Sequence, residues 1–232
     1  MIGVAPHDNN AGHLIAELFS DMQTEAPNKN VAEEYARIAG HYDQRWSYYI
    51  DATTRETIAR LPLGKDDRLL DVGCGTGTLL SRLAVAHPTT RLVGVDPVPA
   101  MLEIARQKLS PTVETHEAWA EQLPFADAEF DLVVSCSMFH YVARPLDALI
   151  EMRRVLRPGG QLVLTDWCGN YLMCRLFERY QQMCAHAHTQ IYRTGDCARM
   201  LEESGYTAVQ IETYKITWLW GLMTVRGTHA QA

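Results

Sequence analysis

The sequence has little of several features that would assign a protein to a broad class at once. No apolar run approaches the roughly 18 residues that a membrane span needs, and residues 1–30 lack the charged-then-apolar pattern of a signal peptide. Basic residues are in the minority, with 21 against 28 acidic ones and a net charge of -7, which argues against a broad nucleic-acid-binding face. We therefore expect a cytoplasmic protein without an integral membrane segment that does not act on nucleic acid.

Paired cysteine spacing is also missing, because none of the six cysteines forms a C-x-x-C motif. In a reducing compartment such thiols are most simply small, buried, apolar side chains. The alternative is a metal site, since thiols and imidazoles crowd one stretch late in the chain, but their spacings match no zinc pattern. We predict no metal site in this Cys/His cluster, which consists of Cys168, Cys174, Cys184, His186, His188 and Cys197.

The most informative stretch is RLLDVGCGTGT, residues 68–78. An apolar run there is interrupted by Asp71, and glycines then follow at alternate positions, 73, 75 and 77. Because glycine adopts positive φ and has no Cβ, such a backbone turns tightly and lets a ligand approach closely. Apolar residues at helical spacing over 78–86 indicate that the loop opens a helix. A strand, a glycine loop and a helix N-terminus in this order predict a site for a nucleotide-like ligand.

A second acidic residue supports this prediction. Residues 91–96 have the pattern of the next strand and end in Asp96, roughly 20 residues after the loop, where a ribose diol would be held. Dinucleotide binding needs G-x-G-x-x-G, however, and Thr78 stands where the last glycine would be. The G-x-G-x-G spacing, with an acidic residue two positions before the first glycine, resembles the class I S-adenosylmethionine-dependent methyltransferases. The resemblance covers roughly residues 31–166 and is strongest to the small-molecule branch that includes the ubiquinone/menaquinone C-methyltransferases.

Strand and helix patterns alternate along the chain, which predicts an α/β fold with a parallel sheet covered on both faces. Strands are predicted at 68–73, 91–96, 113–119, 130–135 and 161–167, helices at 77–86, 98–109 and 145–156, and a turn at 157–160. Further strands are predicted at 208–214 and 216–225, and the resemblance implies a Rossmann-like, seven-stranded, mostly parallel sheet whose last strand is antiparallel. Residues 1–30 are predicted as a mobile N-terminal arm and 31–232 as a single methyltransferase domain, with 31–61 as a helical cap and 168–205 as a candidate substrate wall.

The resemblance implies S-adenosyl-L-methionine as the cofactor. Tyr42 begins a Tyr-Asp pair that resembles a family segment in which a tyrosine closes over the cofactor. Residues 118–125 resemble a segment whose aspartate receives the adenine amino group, but Trp119 stands at that position. Because an indole N–H cannot accept a hydrogen bond, Trp119 would either stack on the purine or fill the core. The expected cofactor-binding residues are Tyr42, Asp71, Gly73, Gly75, Gly77, Asp96, Pro97, Met101, Trp119, Ala120, Ser135 and Met138.

Two residues near the ends of predicted strands are candidates for catalysis. His140 lies in a segment that resembles the family's apolar-His-x-Val pattern, and an imidazole titrates near neutral pH. A structural histidine bonded to the backbone is the alternative. Asp166, at the mouth of the fifth predicted strand, is the second candidate, with a capping carboxylate as the alternative.

The expected activity is the transfer of a methyl group to a small-molecule or lipid-like acceptor. The sequence leaves open whether O, N, C or S is methylated, and it does not decide the oligomeric state. A non-catalytic partner protein that binds S-adenosylmethionine or S-adenosylhomocysteine is an alternative. A nicotinamide-dependent oxidoreductase is a further one, which Thr78 disfavours.

Overall fold

The computed structural model of the protein describes residues 31–184 and 190–230. The arm predicted over 1–30 lies outside the described residues, as do His186, His188 and the side chain of Cys184. The described helices are α1 (Val31–Arg45), α2 (Ser47–Ile58), α3 (Thr78–Ala86), α4 (Pro99–Lys108), α5 (Pro145–Val155), α6 (Leu172–Cys184) and α7 (Thr194–Glu203). The strands are β1 (Arg68–Val72), β2 (Arg91–Asp96), β3 (Glu114–Glu117), β4 (Phe130–Cys136), β5 (Leu156–Trp167), β6 (Tyr206–Lys215) and β7 (Gly221–His229).

The strands form one seven-stranded sheet in the order β3-β2-β1-β4-β5-β7-β6. Strands β1 to β5 pair in parallel, whereas β7 runs antiparallel to both β5 and β6. Consecutive β1 residues show that helices cover both faces, because Leu69 packs against α3 and α4 and Leu70 packs against α5. Burial on both faces explains why these strands are nearly continuous apolar runs. The predicted fold class is confirmed.

Two predicted boundaries near the last strands are wrong. The turn predicted at 157–160 belongs to β5, where an irregularity shifts the register against β4. Residues 157–160 stand opposite the single residue 131 of β4, and the strand accommodates this irregularity without ending. The strand predicted at 216–225 begins only at Gly221, because the backbone N–H of Trp220 donates to Thr217 Oγ1 at 2.9 Å and closes a local turn before it.

The helices around the sheet are short. Within residues 31–184 and 190–230, none combines the length and the apolar composition that crossing a lipid bilayer requires. The predicted cytoplasmic location stays a prediction.

Helix α6 buries Cys174 and Phe177 against Trp167 at the end of β5. Trp220, which precedes β7, belongs to the same cluster.

Candidate cofactor and acceptor site

A cavity opens beyond the carboxyl ends of β1, β2 and β4, where parallel α/β sheets bind their ligands. Its volume is about 510 Å³, within the range of about 300–1,000 Å³ that is typical of small-molecule sites. Helices α1 and α2 supply one wall, and the segments after β1, β2, β3 and β4 supply the rest. Most of the predicted cofactor-binding residues line it, namely Tyr42, Asp71, Gly73, Gly75, Asp96, Pro97, Met101, Trp119, Ala120 and Met138.

The glycine loop is fixed between β2 and the segment after β4. The N–H groups of Gly73 and Cys74 both donate to the carbonyl of Val95, at 2.8 and 2.9 Å. Gly73 has a φ of 77°, and a Cβ there would lie only 2.4 Å from Met138 Cγ. Gly75 has a φ of 52°, and a Cβ there would meet nothing within 4 Å. The loop thus needs glycine at 73 for packing and presents open space at 75, as a cradle for a ligand requires.

Gly77 was expected to bind the cofactor, but it does not line the cavity. It precedes α3 with a φ of 76°, and a Cβ at this position would lie 3.0 Å from Leu109 and 3.2 Å from Ala105. Its place in the motif is therefore explained by the close approach of the loop to α4.

Two buried carboxyl groups face the cavity. Asp96 Oδ2 accepts the N–H of Gly75 and Oδ1 accepts that of Val98, both at 2.9 Å. Burial raises the pKa of Asp96 to about 6, although these two backbone hydrogen bonds act in the opposite direction. Burial, and then the nearby charge of Asp96, raises the pKa of Asp71 to about 8.

Asp71 is 2% exposed, and its Oδ1 has no hydrogen-bond partner among the described residues. A buried oxygen of this kind is costly unless a ligand supplies a donor or a positive charge. S-Adenosylmethionine carries an ammonium, a sulfonium and ribose hydroxyls. The two carboxyl groups and the open cradle at Gly75 therefore fit this cofactor.

Helix α1 is tied down over the glycine loop. Tyr42 lines the cavity, and the next residue, Asp43, accepts a hydrogen bond from Thr76 Oγ1 at 2.5 Å and pairs with Lys108 Nζ. Lys108 Nζ also lies 3.3 Å from Thr76 Oγ1. We refer to Asp43, Thr76 and Lys108 as the α1 latch, because they join the cap to the loop and to the end of α4.

Trp119 lies at the cavity rim and is 53% exposed, so the alternative in which it fills the core is wrong. An indole that is half exposed at the rim of a cavity is available for stacking. Ala120 follows it in the lining, and Pro97 and Met101 line the cavity near Asp96. Their contacts with the cofactor stay predictions.

The residue that enters the cavity after β4 is Ser137 and not Ser135. Strand β4 extends through Cys136, one residue beyond its predicted end, so Ser135 is still paired within the sheet and is 1% exposed. Ser137 lines the cavity beside Met138 and has a φ of 58°, which is rare for a residue with a side chain. An error of one residue in the strand end accounts for the wrong choice.

The two catalytic candidates do not reach the cavity. His140 and Asp166 are 3% and 2% exposed, and His140 Nδ1 lies 2.6 Å from Asp166 Oδ1. Asp166 also accepts the backbone N–H groups of His140 at 3.0 Å and of Trp167 at 2.6 Å. Asp166 is therefore a capping carboxylate, which was its alternative, whereas the His140 ring bonds this carboxylate and not the backbone. The pair holds the turn after β4 against β5, and a catalytic role for either residue stays a prediction.

The segment predicted as a candidate substrate wall, 168–205, does not reach this cavity in its described part. None of the described residues of 168–205 lines the cavity. Its wall next to Ser137 comes instead from α2 and from the segment that follows β4, through Tyr49, Ile50, Tyr141 and Val142. The sequence does carry a signal of this contribution, because five aromatic residues fall within positions 35–49, and Tyr35, Tyr42 and Tyr49 among them line the cavity.

The Cys/His cluster gives no sign of a metal centre in the described part of the chain. No group of three His, Cys, Asp or Glu side chains is suitably placed there. Cys168, Cys174 and Cys197 are buried free thiols, and burial raises the pKa of each. The predicted absence of a metal stays a prediction, because Cys184, His186 and His188 are not described.

Comparison with known proteins gives the family. Residues 70–164 match the family model described as "Methyltransferase domain". The demethylmenaquinone methyltransferase of Deinococcus radiodurans is 38% identical over 144 residues, which are 59% of this chain and 60% of that protein. The ubiquinone/menaquinone biosynthesis C-methyltransferase UbiE of Ectopseudomonas mendocina is 31% identical over 199 residues, which are 80% of this chain and 78% of that protein. The chain belongs to the class I S-adenosylmethionine-dependent methyltransferases.

Solved structures agree with this fold. A chain in the complex of the Haloferax volcanii Trm112 methyltransferase activator with a methyltransferase superposes with a TM-score of 0.77, at 20% identity, over 87% of this methyltransferase and 98% of that chain. The family assignment makes S-adenosylmethionine the cofactor of this chain. It also removes the nicotinamide-dependent alternative.

Proposed function

We propose that this methyltransferase transfers a methyl group from S-adenosylmethionine to a small-molecule or lipid-like acceptor bound beneath α2. The observation that carries the proposal is that one cavity joins the glycine loop to a wall that includes the uncharged side chains of Tyr49, Ile50, Tyr141 and Val142. Such a wall suits an apolar organic molecule. The names of the two relatives above refer to demethylmenaquinone and to ubiquinone/menaquinone biosynthesis, and quinones are of this chemical kind.

The cofactor supplies a methyl group that its sulfonium already makes electrophilic. On the protein side, Asp96 would hold the ribose hydroxyls and Asp71 the positive methionine end. Trp119 would stack on the purine. Tyr42 would cover the bound molecule, because the latch at its neighbour Asp43 keeps α1 over the loop. These residues bind and orient, and the closed cap excludes water.

The protein offers the acceptor little help in losing a proton. Among the described residues, the cavity contains no imidazole, and its charged side chains are Asp71, Asp96, Glu121 and Arg144. Asp71 and Asp96 belong to the cofactor end in this proposal. The acceptor should therefore be a molecule that ionises readily by itself or that carries a free electron pair.

Calorimetric titration with S-adenosylmethionine and S-adenosylhomocysteine tests the proposal. We expect a Kd on the order of micromolar. The Asp96→Ala variant should weaken binding by about 100-fold or more, since hydrogen bonds to a charged group contribute about 1.5–3 kcal/mol each. Glu103→Ala is the matched control, because it removes the same charge from an exposed position on α4 outside the cavity.

Absence of binding by the folded wild-type protein would refute the proposal. Where binding is found, formation of S-adenosylhomocysteine across a panel of phenols, quinols, amines and thiols separates turnover from binding. Binding without turnover on the whole panel would favour the non-catalytic partner protein.

A further inference from the structure

A chain of hydrogen bonds runs from the core to the cavity wall. Trp167 Nε1 donates to Tyr49 Oη at 2.5 Å, and Tyr49 Oη donates to Ser137 Oγ at 2.9 Å. Trp167 and Tyr49 are each 6% exposed. Tyr49 and Ser137 both line the cavity. This series of hydrogen bonds thus begins among buried side chains and ends at the wall of the cavity.

The direction of this chain is fixed by the chemistry of its members. An indole nitrogen only donates, so the Tyr49 oxygen accepts from Trp167. Ser137 Oγ, at 2.9 Å, is the acceptor toward which the single proton of Tyr49 is directed. The Ser137 oxygen is then already accepting, and its own proton is left for another partner. Its other side-chain neighbour within hydrogen-bond reach is Cys136 Sγ at 3.9 Å, and a thiol is a weak acceptor. Ser137 is therefore set as a donor toward the cavity.

The backbone holds Ser137 in this position. Its φ of 58° lies in the left-handed region, which residues with a side chain seldom occupy unless the surroundings impose it. Its N–H donates to the carbonyl of Thr165 at 2.8 Å, which fixes the turn to β5.

The first member of this series of hydrogen bonds, Trp167, is equally rigid. The Trp167 ring stacks on His140 with 4.3 Å between centroids and 13° between planes, and His140 is held in turn by Asp166. Tyr49 packs against Trp220 with the ring centroids 5.6 Å apart. Burial raises the pKa of Tyr49 well above its ordinary value, so its hydroxyl keeps the proton at neutral pH.

We propose that Ser137 is a preset hydrogen-bond donor to an anionic oxygen of the acceptor, with Tyr49 and Trp167 as positioning residues. The acceptors are then ionised phenols or enols, an inference that rests on the proposed function above. A donor polarised by two others that are themselves buried is well suited to a localised negative charge. A neutral amine fits less well, because its only electron pair would be occupied by Ser137, whereas an oxyanion keeps others for reaction.

The carboxylate of the methionine end of the cofactor has the same chemistry as an acceptor oxyanion. The test must therefore separate the two sources. We infer that the Ser137 hydroxyl serves the methyl acceptor and not the cofactor. Ser137 shares its wall with Tyr49 and Ile50 of α2, whereas Asp71 and Asp96 lie on the glycine-loop side.

The probe is 4-nitrophenol, titrated by absorbance in the S-adenosylhomocysteine complex of the full chain. We expect the apparent pKa of the bound phenol to fall by about one unit, a tenfold preference for the phenolate. Ser137→Gly, which removes the hydroxyl and suits the positive φ, should abolish most of this shift, and Tyr49→Phe should reduce it. Tyr48→Phe is the matched control, because Tyr48 is on the same helix, is 48% exposed and bonds the carbonyl of Ile216 instead.

Calorimetry with S-adenosylhomocysteine on each variant completes the experiment. If the wild-type protein does not bind this ligand, the proposed function fails and the inference falls with it. If it binds but the phenol titrates alike with and without the Ser137 hydroxyl, only the inference is overturned. If Ser137→Gly weakens the binding of S-adenosylhomocysteine and leaves the phenolate preference intact, the Ser137 hydroxyl serves the carboxylate of the cofactor. Its assignment to the methyl acceptor is then wrong.

Discussion

The two ends of the cavity are built in different ways. The cofactor end consists of backbone at positive φ, in Gly73 and Gly75, and of two buried carboxyl groups, all within or beside one short loop. The end near Ser137 is formed by uncharged side chains from separate elements, such as Tyr49 on α2 and Tyr141 after β4. A local backbone requirement leaves a mark on the sequence, whereas side chains that meet only through the fold leave none.

The largest effect is expected where the cofactor end is broken through its backbone. Gly73→Ala should lower the free energy of unfolding by about 2–5 kcal/mol, because positive φ costs about 1–2 kcal/mol and a Cβ only 2.4 Å from Met138 Cγ adds overpacking of about 1–3 kcal/mol. Urea unfolding measures this loss. Gly75→Ala is the control, since it has the same strain at φ 52° but no neighbour within 4 Å, and it should lose only the first part. Equal losses in the two variants would show that contact with Met138 does not constrain the loop.

This contrast also explains how far the sequence predicted the site. The strand, the glycine loop and the place of Asp96 at the end of β2 were predicted correctly, because an apolar run, alternate glycines and an acidic residue at set spacing all depend on local geometry. The contact of Asp96 with the cofactor stays a prediction. Ser137 was missed because its choice over Ser135 depends on where β4 ends, which a pattern defines only to within a residue or two. His140 was misplaced because no periodicity tells which way a residue in a short turn faces.

The second prediction uses the charge that distinguishes the cofactor end. The pKa of Asp71 is about 8 in the folded chain and has an ordinary value of 3.8, so between these pH values the folded chain holds a proton that the unfolded chain has lost. The free energy of unfolding of the ligand-free protein should therefore fall as the pH rises from about 4 to about 8, by up to about 1.4 kcal/mol per pH unit. Asp71→Asn should flatten the decline between pH 6 and 8, as measured by urea unfolding at each pH.

Asp96 provides the control for this prediction. Its pKa of about 6 confines its contribution to lower pH, so Asp96→Asn should flatten the decline only below about pH 6. A wild-type protein whose stability stays constant or rises between pH 6 and 8, with no difference in Asp71→Asn, would contradict the assignment of a buried, protonated Asp71.

A third, smaller effect is expected at the exposed rim of the cofactor end. Trp119→Ala should weaken the binding of S-adenosylhomocysteine by about fivefold. Stacking of a base on an aromatic ring contributes about 1–3 kcal/mol, and an indole that is 53% exposed belongs at the low end of this range. Calorimetry measures the change. Trp218→Ala is the control, because this tryptophan is 60% exposed and lies outside the cavity lining. Unchanged affinity in Trp119→Ala would mean that the purine is held by the backbone alone.

The smallest effect concerns the α1 latch, which decides whether the cap over the cofactor end opens freely. Asp43→Asn weakens the tie to Lys108 and Thr76, groups that are partly exposed, so the expected loss is about 0.2–1 kcal/mol. The rate of S-adenosylhomocysteine release in stopped-flow displacement should therefore rise by about 1.4- to fivefold, with a smaller change in the rate of association. Asp51→Asn removes a comparable ion pair of the cap, with Arg82 at 2.6 Å, without touching the latch. Both variants remove an ion pair at the surface of the helical cap. A faster release confined to Asp43→Asn would therefore identify the α1 latch as the element that holds Tyr42 over the ligand. Equal release rates in the two variants would show that the α1 latch is no more than a surface ion pair.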